Sequence, residues 1–169
     1  MQRRLFLHSA ALTATALVLP GVSLALDKPK GRPILTVTGK IGDTNADQAA
    51  RFDMDMLAAL PQQTFTTHTP WYETPKKFTG PLLSDVMALV KADGKTLKAK
   101  AINDYAIEIP MEDLVKHKVM LARLLDDQPM AIRDKGPLFV IYNFDSDAEL
   151  RKSTYYERCI WQLKSLEVK

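Results

Sequence analysis

The chain has 169 residues, 46% of them apolar and 25% charged, with seven glycines and ten prolines. This is the composition of one globular domain, and it excludes a disordered tail, a collagen-like repeat and a multidomain enzyme. The formal charge of +3 comes from 23 Lys and Arg against 20 Asp and Glu. Removing Arg3 and Arg4, which lie in an N-terminal segment read below as cleaved, leaves 21 against 20. A nearly neutral domain carries no electrostatic footprint for nucleic acid or an anionic membrane.

Residues 1–25 read as an export signal. Arg3-Arg4 form the positive start, Leu5 to Leu19 an apolar stretch, Pro20-Gly21 a helix break, and Ser23-Leu24-Ala25 a small-residue cleavage site. Arg3-Arg4-Leu5-Phe6-Leu7 also fits the twin-arginine pattern, with the general secretory route as the alternative. Both routes lead to the periplasm. Residues 26–32 then read as a basic, proline-containing leader, and residues 33–169 as the domain.

Ile34 to Thr38 is β-branched and predicts a strand. Asp53 is placed to cap a short helix carrying Met56, Leu57 and Leu60, stopped by Pro61. Thr64 to His68 predicts a strand, and Trp71 to Lys77, with two prolines, an ordered loop. Leu82, Val86, Leu89 and Val90 follow helical spacing, with Gly94 as the stop. Leu97, Ala99 and Ala101 alternate with Lys98 and Lys100, as in a strand with one wet face. Tyr105, Ile107 and Ile109 alternate in the same way. Pro110 opens a helix over Met111 to Val115, with Glu112 and Asp113 in its first turn. Val119 to Leu125 predicts a strand, and Leu138 to Tyr142 a strand covered on both faces. Tyr155 to Val168 predicts a last, long strand holding Cys159, the one cysteine, as a buried and inert thiol. Many short strands with few helices make an α+β domain.

Common catalytic signatures are missing: no G-x-S-x-G, no glycine-rich phosphate loop, no H-E-x-x-H. With the signal removed, His68 and His117 are the remaining histidines, far apart in sequence, which argues against a multi-histidine metal site. Aromatic and polar residues instead gather at strand ends and loops: His68 with Trp71-Tyr72, Asn103-Asp104-Tyr105, Arg133-Asp134-Lys135 and Tyr142-Asn143-Phe144-Asp145. Flat aromatics beside a carboxylate and an arginine suit a flat, hydrogen-bonding heterocycle.

The order of these segments resembles the molybdopterin-binding domain of the sulfite oxidase family over residues 33–168. Phe78-Thr79-Gly80-Pro81-Leu82-Leu83-Ser84-Asp85-Val86 looks like its aromatic-x-Gly-x-x-Leu-x-Asp-Leu segment. Asn103-Asp104-Tyr105 through Ile109-Pro110-Met111-Glu112-Asp113-Leu114 looks like its Asp-Gly-Tyr…Leu-Pro-Leu-Glu-Asp segment. Leu121-Ala122-Arg123 through Pro129, then Arg133 to Leu138, resembles its Leu-Ala…His-Gly-x-Pro-x-Arg region. Trp161-Gln162-Leu163 and Leu166-Glu167-Val168 resemble its closing Lys-Trp-Leu…Ile-Glu-Val. The resemblance implies a single-domain, mixed-sheet α+β fold of the sulfite oxidase-like, molybdopterin-binding type.

The departures bear on function. Where catalytic members of the family carry a molybdenum-ligating cysteine, ten positions before Phe78, this chain has His68. Imidazole is a poor replacement for thiolate on a metal that prefers sulfur and oxo ligands. The family's phosphate-holding histidine, arginine and lysine are matched here by Lys135, Phe139 and Ile160. These changes imply a pterin pocket without molybdenum and without catalysis. The chain thereby resembles the small periplasmic pterin-binding proteins that act with membrane-bound cyclic-di-GMP enzymes, with Thr66 to Trp71 as the stretch associated with that subgroup. That subgroup implies a pterin of neopterin or tetrahydropterin type as ligand and the periplasmic domain of a diguanylate cyclase/phosphodiesterase as partner. A small molybdopterin-dependent oxidoreductase, or a subunit of one, is the alternative.

The expected ligand-binding residues are His68, Trp71, Asp104, Tyr105, Arg133 and Tyr142. Asp104 would accept both donors of the pterin 2-amino-4-oxo edge, or else cap a turn. Trp71 or Tyr105 would stack on the ring. Arg133 would donate to O4, or else sit in a surface salt bridge. Tyr142 would close the pocket, or else belong to the core.

Overall fold

The computed structural model describes residues 26–169, so the export signal lies outside the described residues. Strand β1 (Leu35–Gly39) pairs antiparallel with β2 (Ala50–Phe52), a strand the sequence reading did not mark. Helix α1 (Met54–Ala59) begins where expected: Asp53 Oδ1 accepts the Met56 backbone N–H at 2.9 Å, and Leu57 is fully buried. Asp53 Oδ2 also accepts the Gly31 N–H at 2.7 Å, tying the leader to the domain. These backbone donors hold the carboxyl below its ordinary value.

Strand β3 (Gln62–Thr67) pairs along its whole length with β4 (Lys76–Pro81). The end of the predicted Trp71–Lys77 loop therefore starts a strand, because register with β3 outweighs the weak strand tendency of Lys-Lys and Gly-Pro. Helix α2 (Leu83–Leu89) buries Leu83, Val86 and Met87, with Val90 buried just beyond its end. It stops well short of Gly94; the chain turns at Lys91, which has φ 49°. In β5 (Thr96–Ala101) the expected alternation is present, with Leu97, Ala99 and Ala101 inward and Lys98 and Lys100 outward. It pairs with the edge strand β6 (Ala106–Pro110), of which only Ile109 is buried. Pro110 then leads into α3 (Met111–Lys116) as expected.

The stretch predicted as one strand over 119–125 is two. Strand β7 (Met120–Ala122) and β8 (Leu124–Leu125) belong to different sheets and are separated at Arg123. Arg123 donates its backbone N–H to Thr79 O and its Nε–H to Gln62 Oε1. A short β9 (Gln128–Pro129) folds back on β8. Strand β10 (Phe139–Ile141) is buried throughout, as its unbroken apolar run predicts.

The predicted long strand over 155–168 is likewise wrong in its continuity. Ser153–Glu157 is a helix, α4, followed by β11 (Ile160–Trp161) and β12 (Leu163–Val168). Gln162, at φ 51°, turns the chain from one sheet to another. Its Nε2 donates to Ile132 O at 2.7 Å, and its carbonyl accepts from Ile102 N–H at 2.9 Å. Cys159 thus follows a helix rather than sitting inside a strand, though it is buried as expected.

Among the described residues three sheets result, ordered β2-β1-β12-β5-β6, β11-β10-β7 and β3-β4-β8-β9. The pairing of β1 with β12 is parallel and the other pairings are antiparallel, so the largest sheet is mixed. The apolar faces of all three sheets and of α2 meet in one core, with Phe52, Phe78, Phe139, Tyr142 and Phe144 as its largest buried side chains. Among the described residues, no helix is long and apolar enough to cross a membrane.

Candidate functional site: an aromatic cleft at the sheet switch

The switch at Gln162 leaves a cleft of about 480 Å³ beside it. Its aromatic walls are Trp71, Tyr105, Tyr156 and Trp161, and Asn103 and Glu157 add polar groups. Trp161 reaches the cleft from β11, where it pairs across the strands with Phe139 and packs on it edge to face at 5.9 Å. Trp71 lies on the same cluster, its ring centroid 5.6 Å from both Phe139 and Trp161. Tyr156 comes from α4, half-buried against the core, and meets Trp71 at 6.2 Å and 85°. Such angled aromatic contacts hold each ring in place.

The β5–β6 turn supplies Asn103 and Tyr105. Asp104 sits at its tip with φ 68°, a left-handed conformation that Asp tolerates better than most residues. Asn103 Oδ1 accepts the Tyr105 N–H at 3.2 Å, which leaves the Asn103 amide NH₂ as a donor for the cleft. Asp104 itself is turned away to cations: Lys164 Nζ is 2.8 Å and Lys100 Nζ 3.0 Å from its Oδ1. The Lys164 and Lys100 hydrogen bonds hold the Asp104 carboxyl down at about 2. Glu157 lines the cleft with its carboxylate in no ion pair among the described residues. Cys159 lies in the floor, where burial pushes its thiol well above the usual cysteine range.

A smaller polar niche of about 260 Å³ lies against this cleft and shares Tyr156 with it. His68, Thr69, Asp145 and Arg151 line it. Asp145 Oδ2 accepts both the His68 backbone N–H and its ring Nδ1–H, each at 2.8 Å. Those two bonds from His68 keep the Asp145 carboxyl below its ordinary value. Among the described residues, no three His, Cys, Asp or Glu side chains gather as a metal site would require.

Of the six residues expected from sequence, Trp71 and Tyr105 line the aromatic cleft and His68 lines the niche. Asp104 flanks the cleft at the tip of a turn, its carboxylate bonded to Lys164 and Lys100, while the turn's Tyr105 backbone N–H is accepted by Asn103. Arg133 is 88% exposed and paired with neighbouring Asp134 at 3.3 Å. Tyr142 is fully buried and donates its hydroxyl to Asp113. Neither Arg133 nor Tyr142 lines either depression. Sequence reasoning passed over Tyr156, Glu157 and Arg151 because it did not see α4 and its preceding turn. Trp161 was visible only as part of the closing motif.

The fold is α+β and sulfite oxidase-like. Among solved structures it is similar to sulfane dehydrogenase SoxCD from Paracoccus pantotrophus, with a TM-score of 0.56 and 17% identity. The likeness covers 79% of this chain and 37% of that one, so this chain corresponds to well under half of the dehydrogenase. No protein-family model matches the chain, and no curated protein matches it.

Proposed function

We propose that this chain is a non-catalytic periplasmic pterin-binding protein that relays ligand occupancy to the periplasmic domain of a membrane-bound cyclic-di-GMP synthase or phosphodiesterase. The observation that carries the pterin reading is the aromatic cleft, lined also by Asn103 and by Glu157, which forms no ion pair among the described residues. Its volume falls in the range of small-molecule sites, roughly 300–1,000 Å³. Pterins are flat, which suits the stacking walls, and their N2 and N3 donors together suit one carboxylate. Glu157 takes the acceptor role in this reading, since the charge of Asp104 is already engaged by two lysines.

The donors available do not suit a molybdenum centre. The one thiol, Cys159, is buried with its proton held on, and the His68 ring is bonded to Asp145. The resemblance to the pterin-binding subgroup supports the export and partner parts of the proposal.

Titration of the ligand-free chain with pterin, followed by fluorescence, tests the site. The wild-type chain is expected to bind saturably. Tyr105 is 58% exposed, so Tyr105→Ala removes a stacking wall without opening the core. It should weaken binding by roughly five- to hundredfold. Glu157→Gln should weaken it by about ten- to hundredfold, through loss of a bond to a charged acceptor. Asp104→Asn discriminates between the two carboxylates: a loss there with none in Glu157→Gln would return the role to Asp104. Absence of saturable pterin binding by the wild-type chain would overturn the proposal.

A further inference from the structure

The edges of the sheets are not alike. Strand β2 is three residues long and carries Arg51, and β6 carries Glu108, ion-paired to Lys169, and ends in Pro110. Strand β9 is two residues long and ends in Pro129, β11 is two residues long and β7 three. Shortness, charge and proline are the features that stop an edge from pairing with another chain. Strand β3 has none of them: Gln62–Thr67 is six residues long, uncharged and free of proline, and its register with β4 runs without a bulge. Among the described residues β4 is its one partner strand.

The far side of β4 shows which groups of β3 are open. Lys77 O and Thr79 O accept the Asp126 and Arg123 N–H groups at 2.8 and 2.9 Å, so Lys77 and Thr79 face away from β3. The bonds between β3 and β4 therefore run through Gln63, Phe65 and Thr67, opposite Gly80, Phe78 and Lys76. Thr64 and Thr66 turn their N–H and C=O groups to the open edge. The side chains of Phe65 and Thr67 face the core, the Phe65 ring 6.1 Å from that of Phe78. Gln63 is on the same face and is exposed. A cavity of about 440 Å³ lies there, lined by Gln63, Phe65, Lys116, His117, Lys118 and Asn143 among others. His117 Nε2 and Asn143 Oδ1 are buried and, among the described residues, have no hydrogen-bond partner. Buried polar atoms are rarely left unpaired, and here two belong to one cavity.

We propose that β3 receives an extended segment of another protein as an added strand, with an acidic side chain of that segment seated in the cavity. The inference does not depend on the pterin reading.

An added strand lies about 4.8 Å from β3 and turns alternate side chains to the face of Gln63 and Phe65. Backbone bonds to Thr64 and Thr66 hold the segment, and the cavity selects what it carries. Lys118 is exposed and in no ion pair among the described residues, and Lys116 reaches Glu149 only at 3.9 Å. Asp147 is the opposing charge in the lining, and its Oδ1 already accepts the Glu149 N–H. Two lysines against one aspartate favour a carboxylate. The His117 tautomer with its proton on Nε2 donates to that carboxylate. Neither end of the Asn143 amide is bonded among the described residues, so its NH₂ can turn inward and donate as well.

The test uses the dye-labelled peptide Thr-Val-Thr-Glu-Thr-Val-Thr on the whole chain, read by fluorescence anisotropy, beside the same peptide with Gln for Glu. The Glu peptide is expected to bind saturably and about five- to tenfold more tightly than the Gln peptide, the gain of a charged over a neutral acceptor. Two further forms are N-methylated, one on Val and Glu, the other on the inner Thr residues. One should lose binding and the other keep it, because alternate N–H groups face β3. Thr64→Pro removes an outward N–H without removing a bond to β4, and it should abolish binding. Lys118→Asn should bring the Glu-to-Gln affinity ratio to about one; Asn tolerates the φ of 49° at this position, and the ratio cancels any general loss of folding. The N-methyl pair is read on the wild-type chain, so it decides even where Thr64→Pro does not fold. Equal binding or equal loss of the two N-methyl forms overturns the added strand. Equal or tighter binding of the Gln peptide overturns the acidic side chain. No saturable binding of either peptide overturns the whole inference. A dimer of the chain alone in sedimentation, dispersed by Thr64→Pro, overturns the foreign segment in favour of a second copy.

Discussion

The Tyr142 hydroxyl donates to Asp113 Oδ2 at 2.9 Å, and the Arg158 guanidinium donates to the same oxygen at 2.7 Å. Asp113 is 4% exposed and Tyr142 fully buried, so the bond between them is shielded from water. Burial first, then the neighbouring Asp113 charge, pushes the Tyr142 phenol far above its usual range and keeps it a donor. This residue belongs to the stability of the molecule. Tyr142→Phe should cost about 1.5–3 kcal/mol, the value of a hydrogen bond to a charged group. Asp113 retains Arg158, so the loss should stop there. Urea unfolding should show the lower stability, while pterin affinity stays at the wild-type value. A variant that loses pterin binding with unchanged stability would place Tyr142 in the site after all.

Gly80 explains why β4 can lie where it does. The strand passes so close to β7 that a Cβ at position 80 would run into the Leu121 carbonyl and come within 2.9 Å of Ala122 Cα. Both are backbone atoms of a buried strand and cannot swing aside as a side-chain tip could. Gly80→Ala should therefore destabilise the protein by about 1–3 kcal/mol or more, as overpacking does. For a chain of this size that lowers the thermal midpoint by several degrees, which calorimetry would read directly. A midpoint equal to the wild type would mean that β4 and β7 separate more easily than their packing indicates. The same two strands show how the sheets are joined: Arg123 lets the chain leave the β10 sheet for the β4 sheet, and Gln162 makes the corresponding change beside the cleft.

Carboxylates held below their ordinary values occur on several elements of the described residues, all but the buried Asp53 at the surface. Asp53 is held by the Gly31 and Met56 N–H groups, and Asp104 by Lys164 and Lys100. Glu108 is held by Lys169, Asp126 by Lys76 and the Lys77 N–H, and Asp145 by His68. A carboxyl depressed in the folded state binds protons more weakly there than in the unfolded chain. Its contribution is thus complete above the ordinary value and is lost as pH falls through the folded one. The ordinary values are 3.8 for Asp and 4.5 for Glu, and Asp104 reaches about 2. The thermal midpoint should then fall as pH drops from 4.5 towards 2. Added salt should make that fall shallower, since most of these pairs face solvent. If the main acid loss came instead between pH 7 and 5, groups other than these carboxylates would govern it.

Local chemistry carried much of the fold. Asp53 caps α1, Pro110 starts α3, Lys98 and Lys100 mark the wet face of β5, and the apolar run at 138–142 marks a doubly covered strand. Each of these rests on interactions within a few residues or on a simple period of side-chain burial, so the amino-acid order is enough to reveal it. The order of the segments also carried the resemblance that pointed to a sulfite oxidase-like fold. The breaks at Arg123 and Gln162 depend instead on which sheet captures each half of a stretch that looks uniformly strand-like. Gln162 is held in its left-handed conformation by Ile132, Lys135 and Ile102, none of them near it in sequence. The site follows from those breaks. Trp71, the Asn103–Tyr105 turn and the 157–161 stretch are far apart in sequence and face one another because the chain changes sheets there. The same assembly directed Asp104 to two lysines and left Glu157 open to the cleft, a choice that residue type alone could not make because both are carboxylates.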